Sequence, residues 1–104
     1  MNIAKMMKQA QKMQSDMAKM QEELAEKELD ISVGGGKVTV KGNGAGEVLE
    51  IKIDPSVVDP EDVEMLEDLV LSGVKQAIEQ GKAMTAEEMG KLTQGLGLPP
   101  GLGF

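Results

Sequence analysis

The first part of the chain carries an apolar stripe, made mostly of methionine, at helical spacing. Seven apolar residues recur at alternating intervals of three and four: Ile3, Met6, Ala10, Met13, Met17, Met20 and Leu24. This spacing places them on one face of an α-helix, at the a and d positions of a coiled-coil heptad. We expect a helix from about residue 3 to about residue 27, which is roughly 37 Å long.

A helix of this length is difficult to enclose within one small domain. A compact domain of 104 residues has a radius of gyration of only about 13 Å, so the helix should either protrude or pack against a second copy. Isolated amphipathic helices are marginally stable in water, which favours a homodimer. The predicted dimer interface comprises Met6, Met13, Met17, Met20 and Leu24. A methionine-lined groove for varied peptides is the less frequent alternative.

Three short segments that follow the helix alternate apolar and polar residues and are separated by glycines. They cover residues 29–33, 37–41 and 48–53. The apolar residues assigned to one face of the third segment are Leu49, Ile51 and Ile53. Such alternation is typical of half-buried strands, and Asn43-Gly44 is typical of a hairpin turn. We therefore predict an antiparallel meander whose apolar face is covered by a helix.

A second amphipathic helix is predicted after the strands, with Asp59 as its N-cap and Pro60 at its first position. Its apolar residues cover more than a narrow stripe, so we expect burial on more than one side; they are Val63, Met65, Leu66, Leu69, Val70, Val74, Ala77 and Ile78. Gly81 is expected to end or weaken this helix. Thr85 and Glu88 have the spacing of a capping box, which predicts a short further helix through about Leu92.

The predicted fold is therefore α+β with the order α-β-β-β-α(-α). A long N-terminal helix protrudes from a three-stranded antiparallel meander. We expect residues 1–94 to form a single domain. Residues 95–104 consist of glycine, leucine, proline and one phenylalanine, and they are predicted to form a flexible or docked tail.

The residue types on which most enzymes depend are missing from this chain. Without Cys or His there is no ordinary Ser-His or Cys-His nucleophile and no disulfide. Glu64, Glu67 and Asp68 are interpreted as a solvated helix face, because no metal-ligand spacing accompanies them. The glycine clusters lack the other residues of a phosphate-binding loop. We predict no enzymatic activity, no cofactor and no metal, and the lack of a secretory or membrane-spanning segment predicts a cytoplasmic protein.

Charge is distributed unevenly along a chain whose formal net charge is -7. Residues 1–15 contain three lysines and no acid, whereas residues 54–68 contain seven acids and no lysine. Lys5, Lys12 and Lys19 repeat every seven residues with Lys8 beside them, about 10 Å apart along the axis. This spacing fits contacts to DNA phosphates, although a solvated helix face is the more frequent interpretation of such a pattern. Without arginine, direct base readout is not expected.

Several segments resemble the YbaB/EbfC family. They are Lys8-Gln-Ala-Gln-Lys-Met13, Met20-Gln-Glu-Glu-Leu24, Ile51-Lys-Ile-Asp-Pro55, Glu64-Met-Leu-Glu-Asp-Leu-Val70, Glu88-Met-Gly-Lys-Leu-Thr93 and the Gly-Leu-Pro-Pro-Gly tail. The resemblance implies a bacterial nucleoid-associated protein that binds double-stranded DNA as an intertwined homodimer shaped like tweezers. It also favours the lysines as the DNA contact, with weak, salt-sensitive and largely sequence-independent binding.

The resemblance further implies roles in chromosome organisation and gene regulation, and a location in the cytoplasm and nucleoid. The implied partners are double-stranded DNA, a second copy of the chain and recombination-repair proteins. The alternative hypothesis is an acidic, dimeric protein-interaction scaffold that makes no direct contact with DNA.

Overall fold

The computed structural model describes residues 2–95, which form two long helices and one antiparallel sheet. The elements in chain order are α1 (Ile3–Glu26), β1 (Glu28–Val33), β2 (Val38–Asn43), β3 (Val48–Ile53), a 3-10 turn (Pro55–Val57) and α2 (Val63–Gly95). The predicted α+β class and the meander between two helices are confirmed. Apart from Gly95, the predicted tail lies outside the described residues.

The sheet has the strand order β1-β2-β3, and α2 lies across β1 and β2. Val40 of the central strand pairs with Ile31 on one side and Ile51 on the other. Val38 and Val40 are fully buried, since α2 packs on the face that they share. Gly73 of α2 allows this approach, because a Cβ atom there would lie 2.8 Å from Cγ2 of Val40. The core therefore depends on one sheet face and one helix.

Strand β3 lies at the sheet edge and is not covered by α2. All six of its residues are exposed. The register shifts between Lys41 and Gly42, which pair with Glu50 and Val48, so that Leu49 is an extra residue without an opposite partner. Ile51 and Ile53 pair with Val40 and Val38 and share their sheet face, as predicted, but α2 does not cover them, and the predicted alternation is wrong only at Leu49.

The start of α2 lies three residues later than predicted. The Asp59 carboxylate accepts a hydrogen bond from the Glu61 amide within the preceding turn, so it does not cap the helix. Asp62 takes that role, since its Oδ1 accepts from the Met65 amide at 3.3 Å. Asp59 and Pro60 thus belong to the connection between β3 and α2, because the turn satisfies the Asp59 side chain locally.

Helix α2 continues from Val63 to Gly95, so the predicted interruption at Gly81 and the separate last helix are wrong. Gly81 has a packing role instead: a Cβ atom there would lie 2.6 Å from the Asn43 carbonyl oxygen and 2.8 Å from the Gly46 Cα. The Thr85 hydroxyl does not cap a helix but donates a hydrogen bond to the Gly44 carbonyl at 2.6 Å. Both residues hold α2 against the turn between β2 and β3.

The same turn holds the end of α1, and together these contacts form what we call the helix joint (Leu24, Asn43, Gly44, Gly81 and Thr85). The Gly44 amide donates to the carbonyls of Leu24 and Lys27, each at 2.9 Å. The side-chain Nδ2 of the buried Asn43 donates to the Ala25 carbonyl at 3.2 Å. The side-chain Oδ1 of Asn43 accepts hydrogen bonds from the backbone amides of Ala45 and Glu47 in the same turn. The joint therefore links both helices to the sheet.

We predict that Gly81→Ala destabilises the protein by about 1–3 kcal/mol, because the added methyl group meets backbone atoms that cannot move aside easily. Gly90→Ala in the same helix is the control, since no atom lies within 4 Å of a Cβ atom there. Alanine should stabilise the helix at that position by up to about 1 kcal/mol. Denaturant unfolding at one fixed protein concentration measures both, and equal stability of the two variants would contradict the close packing.

Candidate nucleic-acid interface

Helix α1 has two parts that differ in burial. Its inner end packs on the body: Met20 is buried, and Leu24 is only 1% exposed. Its outer part, residues 3–17, is here called the α1 arm. Met6 on the arm is 54% exposed and Met13 and Met17 are half-buried. The predicted methionine interface is thus divided between a surface already buried within its own chain and a surface that remains uncovered.

The arm extends beyond the body past the C-terminal part of α2. Leu24 and Met84 both reach Gly44, whereas Met20 and Leu92 line the same cleft further out. The two helices therefore run antiparallel, and lower residue numbers in α1 lie toward the end of α2. The molecule measures 70 × 22 × 16 Å with a radius of gyration of 19.3 Å, compared with about 13 Å for a compact chain of this length.

Three of the four predicted lysines lie on the arm. The Asn2 side chain caps α1 by accepting a hydrogen bond from the Lys5 amide at 3.2 Å, which starts the helix directly before the lysines. Lys5, Lys8 and Lys12 are exposed and fall within about 60° of one another around the helix. Among the described residues none of them forms an ion pair. Their charges are available to an anionic partner.

Lys19 occupies a different environment from the other three lysines. It lines a cleft of about 320 Å³ between the two helices, together with Asp16, Glu23, Glu88 and Lys91. Lys91 already lies 3.4 Å from Oε1 of Glu88. Three carboxylates and two ammonium groups therefore line this cleft, which gives Lys19 more acidic neighbours than Lys5 or Lys8, and Lys19 itself forms no ion pair among the described residues. The heptad spacing places Lys19 on the same line of the helix as Lys12, but of the two only Lys19 borders the cleft between α1 and α2.

The acidic segment lies at the other end of the molecule. Asp68 precedes Glu88 by 20 residues, which corresponds to about 30 Å along α2, and the arm extends away from Glu88 in the opposite direction. Within this segment the Ser56 amide donates to Asp54 at 2.8 Å and lowers the pKa of that carboxyl. Since charges are screened over about 8 Å at physiological ionic strength, the acidic end does not cancel the local field of the arm.

A second exposed feature is apolar and lies on the body. The β3 surface, as we call it, comprises Val48, Leu49, Ile51 and Ile53; the two isoleucines are each 40% exposed. Val63 and Met65, two of the predicted apolar residues of α2, are exposed, and so is Leu71, so the first part of this helix is not buried on more than one side as predicted. Sequence reasoning missed the β3 surface, because the strand alternation does not show which strands α2 covers.

Other chemistry is limited in the described part of the chain. Glu64, Glu67 and Asp68 are exposed on α2, as expected for a solvated helix face. Within residues 2–95, no group of three acidic side chains is arranged to hold a metal ion. Neither helix of this part is long and apolar enough to span a membrane.

Known proteins similar to this chain agree with the observed fold. A nucleoid-associated protein of Clostridium novyi is 59% identical over 99 residues, which cover 95% of this chain and 87% of that protein. One from Akkermansia muciniphila is 49% identical over 104 residues and 100% of both chains. The structure of an uncharacterised Helicobacter pylori protein matches with a TM-score of 0.75 at 23% identity, covering 92% of this chain and 98% of that one. The family profile matches residues 1–96, and the chain belongs to the YbaB/EbfC DNA-binding family.

Proposed function

We propose that this protein is a nucleoid-associated protein that binds double-stranded DNA as a homodimer through its two α1 arms. The observation that carries the proposal is the local charge of the arm, which holds three lysines and one acid, Asp16 at its inner end, in a chain with a net charge of -7. The names of the family and of the relatives support DNA as the ligand. Chromosome organisation and gene regulation would follow from such binding.

The arm is suited to the phosphate backbone rather than to the base edges. It carries lysines, which act as point charges toward phosphate, and residues 3–17 contain no arginine or aromatic residue. Base-specific hydrogen bonds and base stacking therefore have few candidate side chains on the arm. We expect affinity to come mainly from counterion release, which makes binding strongly salt-dependent and weakly dependent on sequence.

The β3 surface is our proposed main dimer contact. An edge strand presents unpaired backbone N–H and C=O groups, and here its apolar side chains are exposed as well. A second copy of the chain would provide hydrogen-bond partners for these backbone groups and would cover the apolar side chains. A dimer joined through the body would also leave two arms free for DNA. Met6, Met13 and Met17 stay a predicted interface, whereas Met20 and Leu24 are already buried within the chain. Recombination-repair proteins also stay a predicted partner.

We predict that replacing Lys8 and Lys12 with glutamine reduces DNA affinity at low salt. It should also lower the slope of log affinity against log salt by about 0.9 for each phosphate that the protein no longer neutralises. Fluorescence anisotropy with a mixed-sequence duplex at several salt concentrations measures both quantities. Lys75→Gln with Lys82→Gln is the matched control, because it removes two exposed lysines from α2. Equal weakening in both double variants, or no binding of the native protein at low salt, would overturn the proposal.

Lys12→Gln and Lys19→Gln should differ although the two lysines lie on the same line of the helix. We expect the Lys19 variant to change the salt slope by less than half as much, since the three carboxylates that line its cleft make a nearby phosphate less favourable. The same anisotropy titration distinguishes the two variants. Similar changes in slope would show that Lys19 contacts phosphate as strongly as the outer lysines do.

We predict that Ile51→Lys shifts the protein from dimer to monomer in sedimentation velocity while its far-UV circular dichroism remains native. A charged side chain is tolerated on a surface that is 40% exposed in the single chain, but it is costly inside an apolar interface. Lys52→Gln, on the opposite face of β3, is the control and should remain dimeric. If Met13→Asp with Met17→Asp dissociates the dimer and Ile51→Lys does not, the methionine stripe is the interface instead.

A further inference from the structure

The apolar stripe on the α1 arm is only partly covered by the described residues. Ile3 and Met6 are exposed, and Met13 and Met17 are half-buried. This stripe lies roughly 140° around the helix from the lysines, so DNA bound to the lysines does not cover it. Because an isolated amphipathic helix is marginal in water, the arm requires an apolar neighbour on this side.

The stripe continues along the face that holds α1 against α2. Leu24 and Met20, the inner members of the stripe, are the residues that pack beside α2. Leu92 lines a cleft with Met20, and the described part of the chain ends three residues later at Gly95, about 4.5 Å further along the axis of α2. The residues that follow Gly95 therefore begin beside the point at which the exposed part of the stripe begins.

We propose that residues 96–104 of the same chain lie along the methionine stripe of the α1 arm. These residues include no charged side chain, and their large side chains are all apolar: Leu96, Leu98, Leu102 and Phe104. Within each half of the segment the large residues are two positions apart, so in an extended backbone they point toward the same side. Pro99-Pro100 favours an extended backbone between the two halves.

The length of the segment matches the length of the uncovered stripe. Met17 and Ile3 are 14 residues apart, which is about 21 Å in a helix. Nine extended residues span at most about 30 Å, so residues 96–104 reach the outer end of the arm. The segment would cover the apolar side and leave Lys5, Lys8 and Lys12 exposed. Docking of the segment does not depend on the proposed DNA binding.

Disulfide trapping tests this contact, since the chain contains no native cysteine. We compare Met6→Cys/Leu102→Cys with Lys8→Cys/Leu102→Cys, in which the first cysteine is moved to the lysine side of the arm. Under mild oxidation at low protein concentration, the first pair should form an intramolecular disulfide at least tenfold faster, measured by quenched mass spectrometry and non-reducing gels. Equal rates for the two pairs would overturn the proposal.

Two single-cysteine proteins identify other occupants of the stripe. Rapid disulfide dimers of Met6→Cys alone would show that two α1 arms pack together, as the sequence predicts. Rapid cross-links between Met6→Cys and Leu102→Cys proteins in a mixture would place the segment of the partner on the stripe. Either result overturns docking within one chain. Slow reaction in both, with fast reaction in the double variant, supports it.

Hydrogen exchange provides a readout that needs no cysteine. Leu102→Asp with Phe104→Asp should accelerate amide exchange in residues 3–17 at least fivefold and leave β2 unchanged. Lys75→Asp with Lys82→Asp introduces the same two acidic residues on α2 and should leave the arm unchanged. Unaltered exchange of the arm in the Leu102/Phe104 variant would contradict the proposal.

Discussion

The arrangement of this protein depends on the helix joint, where the turn between β2 and β3 contacts both helices. The Gly44 amide donates to the carbonyls of Leu24 in α1 and of Lys27 directly after it. The Gly44 carbonyl accepts a hydrogen bond from the Thr85 hydroxyl of α2. Asn43 fills the same site with all of its polar groups bonded. Because these hydrogen bonds tie the backbone of one turn to both helices, they fix the direction in which α1 leaves the body. The position of the lysines relative to the body follows from that direction.

By setting the direction of α1, the joint also separates the arm lysines from the acidic start of α2 in space. The sequence shows only that basic and acidic residues are unevenly distributed along the chain. The arm carries its lysines away from the acidic start of α2, so an acidic protein presents a basic end to its surroundings. Lys19 is not kept apart from acidic residues in this way, because it lines the cleft between the helices together with Asp16 and Glu23 of α1 and Glu88 of α2. Distance combined with ionic screening, rather than net charge, determines which lysines retain a field available to DNA.

The β3 surface and the outer methionine stripe both stay exposed on the part of the chain that the structure describes. A small chain with one sheet and two long helices cannot bury all its apolar residues on itself. The β3 surface has edge-strand backbone and lies on the body, which suits a second copy. The outer stripe begins close to Gly95, the last described residue, which suits the residues that follow it. These surfaces therefore have separate proposed occupants.

The sequence by itself determined the elements that depend on local periodicity. Alternation identified the three strands, helical spacing identified both helices, and Asn43-Gly44 identified the hairpin turn, because these signals arise from neighbouring residues. Only the tertiary structure decided the roles of Gly81 and Thr85, the exposure of β3 and the difference between Lys12 and Lys19. Each of these depends on atoms distant in the chain that meet at the joint or along α2, and such contacts leave no periodic signal.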